Sequence, residues 1–143
     1  MLKIKIKKNA DVKVPFYVHK GDSGVDLYSA EGYLLKPMER KLISTGIKIA
    51  VPYGYEAQIR PKSGLALEHG ISHANCVGTI DSCYRGEIKV PVINLSDKPY
   101  KIEQGKKIAQ MVFAKVETAV FEEVDELEAT TRNDKGFGST GLD

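Results

Sequence analysis

Little in this 143-residue chain is suited to covalent stapling or to caging a metal. It has two cysteines, Cys76 and Cys83, too few for a disulfide scaffold, and no zinc-type ligand cluster. The three histidines, His19, His69 and His73, fall in no metal-binding spacing such as H-E-x-x-H, and they read as surface or loop residues. Long hydrophobic runs are missing. No window approaches a membrane span, and the N-terminus has no apolar leader-like stretch, so no membrane association is expected. A reducing cytoplasm is the default setting for such a chain. An excess of one charge is missing too. Lys and Arg total 21 against 19 Asp and Glu, a net charge of +2, which argues against a nucleic-acid partner. Lys3, Lys5, Lys7 and Lys8 form a local basic run, but they alternate with Leu2, Ile4 and Ile6 and so read as the wet face of a strand.

Helical periodicity is also scarce. One short stretch, 64–69, places Leu65, Ala66 and Leu67 between Ser63 and Gly70. Strand signals dominate instead. Residues 2–7 alternate, 42–51 are rich in β-branched side chains, and 55–60, 87–94 and 108–116 read similarly. Turn residues fall between them at Pro52-Tyr53-Gly54, Ser96-Asp97-Lys98-Pro99 and Glu103-Gln104-Gly105. The length fits one domain with a core that needs no staples. Many short strands at regular turn spacing predict an all-β chain, a sandwich or barrel of the jelly-roll kind.

Against this background, one tail and four short segments carry chemistry. The tail, 132–141, holds Arg132, Phe137, Gly138, Ser139 and Thr140 among glycines. It has too little apolar surface to pack as a core element, but it suits folding over a ligand. Phe137 offers a face for a planar ring, while Arg132, the hydroxyls and the glycine N–H groups offer donors to phosphate oxygens. Upstream lie Gly24-Val25-Asp26-Leu27-Tyr28-Ser29-Ala30, Arg60-Pro61-Lys62-Ser63-Gly64-Leu65-Ala66, Gly78-Thr79-Ile80-Asp81-Ser82-Cys83-Tyr84-Arg85-Gly86, and Gly105-Lys106-Lys107-Ile108-Ala109-Gln110-Met111. Asp81 sits between glycines in a turn-rich segment where a carboxylate reaches solvent, though for an Asp taken alone there a turn-capping role is the plainer reading. Lys106 and Lys107 read as solvated, and the apolar residues beside Gln110 as core.

The five segments, in this order and spacing, resemble the trimeric dUTP pyrophosphatase (dUTPase) family over about residues 20–141. The resemblance implies a jelly-roll subunit assembled as a homotrimer, with 1–128 forming the barrel and 129–143 an arm that closes a neighbour's site. It implies hydrolysis of dUTP to dUMP and pyrophosphate with Mg²⁺. Asp81 matches the family's water-activating Asp, and Asp26 the residue that holds Mg²⁺, largely through water. Lys62, Ser63, Gly64 and Gln110 match phosphate-contacting positions. Asn75, Gly78, Thr79, Ile80 and the main chain near Lys89 match the uracil-reading hairpin. Tyr84 matches the ring that packs under the deoxyribose, and Arg132, Phe137, Gly138, Ser139 and Thr140 match the closing arm.

Two positions depart from the family pattern. Position 62 is usually Arg; a lysine is a point charge and cannot present a two-pronged fork. Position 83 commonly carries a carboxylate, and Cys83 removes that charge from beside Asp81. A dCTP deaminase of the same fold, possibly bifunctional, and a nucleotide-responsive regulatory protein are the competing readings. The Asp81–Tyr84 segment and the Phe137 tail favour the diphosphatase, and intact Asp26, Asp81 and Gln110 favour retained chemistry.

Overall fold

The computed structural model describes residues 1–136. Eleven strands and one short helix run in the order β1 (Lys5–Lys8), β2 (Gly24–Tyr28), β3 (Tyr33–Leu35), β4 (Arg40–Ser44), β5 (Ile47–Ala50), β6 (Tyr55–Arg60), α1 (Ser63–His69), β7 (Ile71–His73), β8 (Gly78–Ile80), β9 (Lys89–Asn94), β10 (Tyr100–Ile102) and β11 (Lys107–Lys115). Every pairing is antiparallel. A four-stranded sheet in the order β2-β11-β6-β8 and a three-stranded sheet, β4-β9-β7, share one hydrophobic core, and β1-β5 and β10-β3 form two further pairs. This is the expected all-β, jelly-roll arrangement. Among the described residues no helix is long and apolar enough to cross a membrane.

The core follows from alternation. In β9 the pattern is inward at Val90, Val92 and Asn94, and in β6 at Ala57 and Ile59. Leu27, Leu35, Ile43, Ile47, Ile88 and Val90 are fully buried between the layers. Each such side chain contributes about 1.5–3 kcal/mol through lost water contact. Asn94 is buried without penalty because its amide donates to the carbonyls of Leu35 (3.1 Å) and Lys98 (2.8 Å).

Three details differ from the sequence-based expectations. The stretch 42–51 is two strands, not one. It turns at Thr45-Gly46, where Gly46 has φ +67° and leaves no room for a Cβ, which would lie 2.6 Å from Val12 Cγ2. Thr45 Oγ1 donates to the Ile88 carbonyl at 2.5 Å, and Gly46 N–H to the Glu87 carboxylate at 2.8 Å, so the corner is tied to the chain entering β9. His73 is a core residue rather than a surface one. It lies on β7, and burial pushes its pKa below the usual 6.5. Finally, β1 is exposed along its whole length instead of burying one face.

Among the described residues, regular structure ends with β11. Val116 N–H still donates to the Gly54 carbonyl (3.0 Å), but 117–136 hold no strand or helix and are exposed, with Val120, Phe121 and Leu127 open to solvent.

Candidate active site

The first cleft forms where β2 meets β11. Gln110 is the register partner of Asp26, and a β-bulge between Lys107 and Ala109 inserts one extra residue into β11. In a regular strand Lys107 and Gln110, three apart, would point to opposite faces. The bulge resets the alternation, so both side chains flank Asp26. Lys62, entering from the end of β6 just before α1, completes a cleft of about 340 Å³ lined by Gly24, Asp26, Lys62, Lys107 and Gln110 among others.

Asp26 is held on both sides. Lys62 Nζ lies 2.5 Å from one carboxylate oxygen and Lys107 Nζ 2.6 Å from the other. The Asp26 side chain is only 13% exposed, against 28% for Lys62 and 46% for Lys107. Burial alone would push the Asp26 pKa up; the hydrogen bonds and charges of Lys107 and Lys62 outweigh it and hold the carboxyl below its ordinary range. The same contact raises the Lys107 ammonium. Lys107 is therefore not simply solvated, as its sequence context suggested. Gln110 Nε2 donates to the Pro61 carbonyl (3.1 Å), and its Oε1 lies against Gly24, where a Cβ would stand 3.0 Å away.

The second cleft, about 530 Å³, is built around β8 and the turn that follows it. It gathers Asn75, Gly78, Thr79, Ile80, Asp81 and Tyr84 together with Lys89, Glu87, Leu42 and Pro91. Gly78 lets the Asn75 amide lie close to the strand: a Cβ there would meet Asn75 Nδ2 at 3.3 Å. The turn is closed by its own backbone and by Arg85. Tyr84 N–H donates to the Asp81 carbonyl (3.1 Å), and Arg85 Nη1 donates to the carbonyls of Ser82 and Tyr84, both at 2.7 Å. Tyr84 hydroxyl donates to the Glu87 carbonyl at 3.0 Å. The Glu87 carboxylate accepts from Ser44 Oγ and Gly46 N–H, and these bonds, Ser44 first, keep its pKa low despite partial burial. Asp81 stands differently. It is exposed at the mouth of the cleft, and its carboxylate has no hydrogen bond or ion pair among the described residues.

The two clefts share no lining residue. They belong to β2 and β8, the two outer strands of one sheet, with β11 and β6 between them. At roughly 4.8 Å per strand those edges are about 14 Å apart. The structure thus groups Asp26, Lys62 and Gln110 in one place and Asn75, Gly78, Thr79, Ile80, Asp81, Tyr84 and Lys89 in another. Ser63 and Gly64 occupy the exposed first turn of α1 beside Lys62, outside the cleft lining. Arg132 is exposed, donates to the Lys135 carbonyl (2.9 Å) and lines neither cleft. Phe137, Gly138, Ser139 and Thr140 lie outside the described residues. Lys107, Glu87 and Gly24 were not singled out in the sequence as site residues; the bulge and the cross-strand register that give them importance are invisible in a linear pattern.

A jelly-roll subunit with a lysine-clamped carboxylate in one cleft and an unpaired carboxylate on a glycine-rich hairpin in another defines a narrow structural class. The dUTPase family model matches residues 10–141, and the chain belongs to that family. It is 57% identical over 136 residues to the deoxyuridine 5′-triphosphate nucleotidohydrolase of Clostridium novyi (strain NT), covering 95% of this chain and 96% of that one. The enzyme of the same name from Finegoldia magna is 54% identical over 142 residues, with coverage of 98% and 99%. Among solved structures, the Staphylococcus bacteriophage 80alpha dUTPase G164S mutant with dUpNHpp superposes with a TM-score of 0.90 at 27% identity, covering 98% of this chain and 99% of that one.

Proposed function

We propose that this chain is a dUTP diphosphatase, which hydrolyses dUTP to dUMP and pyrophosphate by attack of water on the α-phosphorus. One observation carries the mechanistic part: of the two carboxylates in the clefts, Asp26 is clamped by lysines and Asp81 is unpaired at the mouth of the hairpin cleft. An anchored carboxylate suits holding charge in place, and an unpaired, exposed one suits taking a proton from water. Asp81 is the general base. The hairpin main chain and Asn75 read the edge of uracil, and the close approach at Gly78 and Ile80 rejects the methyl of thymine by overlap and the amine of cytosine by mispairing. Tyr84 packs under the deoxyribose. Lys62, Ser63, Gly64 and Gln110 bind the phosphates, joined by Arg132, Ser139 and Thr140 of the arm, with Phe137 over the base.

The residues fit a metal that arrives with the nucleotide. Among the described residues no group of three or more His, Cys, Asp or Glu could cage an ion. A single carboxylate, Asp26, suits Mg²⁺, which keeps its water and takes few protein ligands. Bound there, the ion neutralises phosphate charge; Asp26 would hold it through water.

The separation of the clefts supports assembly between copies. A nucleotide whose base lies in the hairpin of one subunit meets the Asp26 cleft of another, with the arm of a third closing over it, as in a homotrimer. Both cysteines are exposed free thiols, which suits a reducing cytoplasm.

Supplying each deoxynucleoside triphosphate with Mg²⁺ and counting pyrophosphate tests the substrate. Asp81→Asn tests the base: turnover falls by about 10²–10⁴-fold while affinity for a non-hydrolysable dUTP analogue persists. Loss of both together would assign Asp81 a structural role instead.

A further inference from the structure

We infer that Gly86 is a specificity-determining position that enforces the choice of deoxyribose over ribose by leaving room for Tyr84. The inference rests on the reading of Tyr84 as the ring beneath the sugar. Tyr84 is not a rigid core tyrosine: it is 43% exposed and lines the hairpin cleft. Its ring is folded back over its own turn and crosses Gly86. A Cβ built at Gly86 would stand 2.8 Å from Tyr84 Cε2 and nearer still to Cζ and the hydroxyl oxygen. Carbon atoms in contact normally sit about 3.5–4.0 Å apart, so one methyl group and this ring position are mutually exclusive.

The backbone does not require glycine here. Gly86 is not among the residues with positive φ, so its conformation is open to alanine and the requirement is for space alone. The backbone of Tyr84 is held at both of its polar groups. Its N–H is bound to the Asp81 carbonyl and its own carbonyl to Arg85. The ring must therefore shift about its side-chain bonds, away from Gly86 and from the hydroxyl's 3.0 Å bond to the Glu87 carbonyl. With the ring displaced, the surface that excludes a 2′-hydroxyl by contact is gone. A packed apolar surface rejects an added hydroxyl by up to about 10²-fold, which bounds the effect.

The test is a double-mutant cycle on the full chain, comparing kcat/KM for dUTP and UTP in wild type, Gly86→Ala, Tyr84→Ala and the double variant, with folding checked by circular dichroism. Gly86→Ala should cut the dUTP-to-UTP preference by about tenfold or more. The change should fall mainly on KM for dUTP and on UTP turnover, with kcat for dUTP largely kept. In the Tyr84→Ala background Gly86→Ala should do nothing further, because the two act as a unit. An unchanged preference in Gly86→Ala, or an equal loss in both backgrounds, overturns the inference. If Tyr84→Ala itself leaves the preference intact, the sugar-packing reading of Tyr84 fails and takes the role of Gly86 with it. Should Gly86→Ala not fold, the double variant decides: folding restored by removing the ring supports the clash, and failure of both assigns Gly86 to the turn itself.

Discussion

Replacing Asp26 with Asn should have opposite effects on nucleotide binding with and without Mg²⁺. The Asp26 carboxylate lies 2.5 Å and 2.6 Å from two ammonium groups, so the cluster carries one net positive charge in place of two. The Asn variant exposes the full charge of Lys62 and Lys107 to an incoming triphosphate. One unit charge at contact distance is worth about 1 kcal/mol in bulk water and about 4 kcal/mol near a protein surface. In a cleft open to solvent the gain should be about 1–2 kcal/mol, or roughly 5–30-fold tighter binding of a metal-free analogue. With Mg²⁺ present the same change would, on the proposed reading of Asp26, remove the carboxylate that holds the hydrated ion, and the enhancement by metal should shrink. Calorimetric titration of a non-hydrolysable dUTP analogue, in EDTA and in Mg²⁺, reads both arms. The EDTA gain should fade as salt rises, because it is a charge effect. Weaker binding in EDTA, or a wild-type response to Mg²⁺, would refute the reasoning.

His73 should make the chain lose stability in mild acid. Its pKa is lowered in the fold, so the unfolded chain takes up the proton first. The contribution is complete above about pH 6.5 and is lost as pH falls from there through the lower folded value. Thermal unfolding between pH 7.5 and 5 should therefore fall more steeply for wild type than for His73→Gln; parallel curves would contradict this. A chain ending at Ala129 should keep its fold, since the last described element, β11, ends at Lys115 and residues 117–136 are exposed. It should lose most turnover, as sedimentation and pyrophosphate release together would show, and full activity in that form would count against a closing arm.

How much of this was legible in the chain depended on range. β6 was readable at its true limits because six residues of alternation between Tyr55 and Arg60 are enough to set a period. β3, β7, β8 and β10 have three residues each, too few to alternate visibly, and only their partners make them strands. The break at Thr45-Gly46 lies hidden within a β-branched run, because glycine's positive φ and the crowding by Val12, far away in sequence, are visible only in the fold. Within the site, motif residues could be chosen by local type and spacing. Their division between two clefts could not, because it follows from the strand order β2-β11-β6-β8, in which no neighbours are consecutive in sequence. Lys107 was misread for the same reason: its partner is 81 positions earlier, across a bulge.

The wide spacing of the two clefts along one sheet has a genetic consequence. If, as proposed, each pocket is built between copies, no pocket would belong to a single polypeptide, and a damaged copy would spoil more than its own share of the work. Mixed with intact chains it would act as a poison. Yet two differently damaged copies, one impaired at the hairpin and the other at the lysine clamp, would rebuild a sound pocket between them.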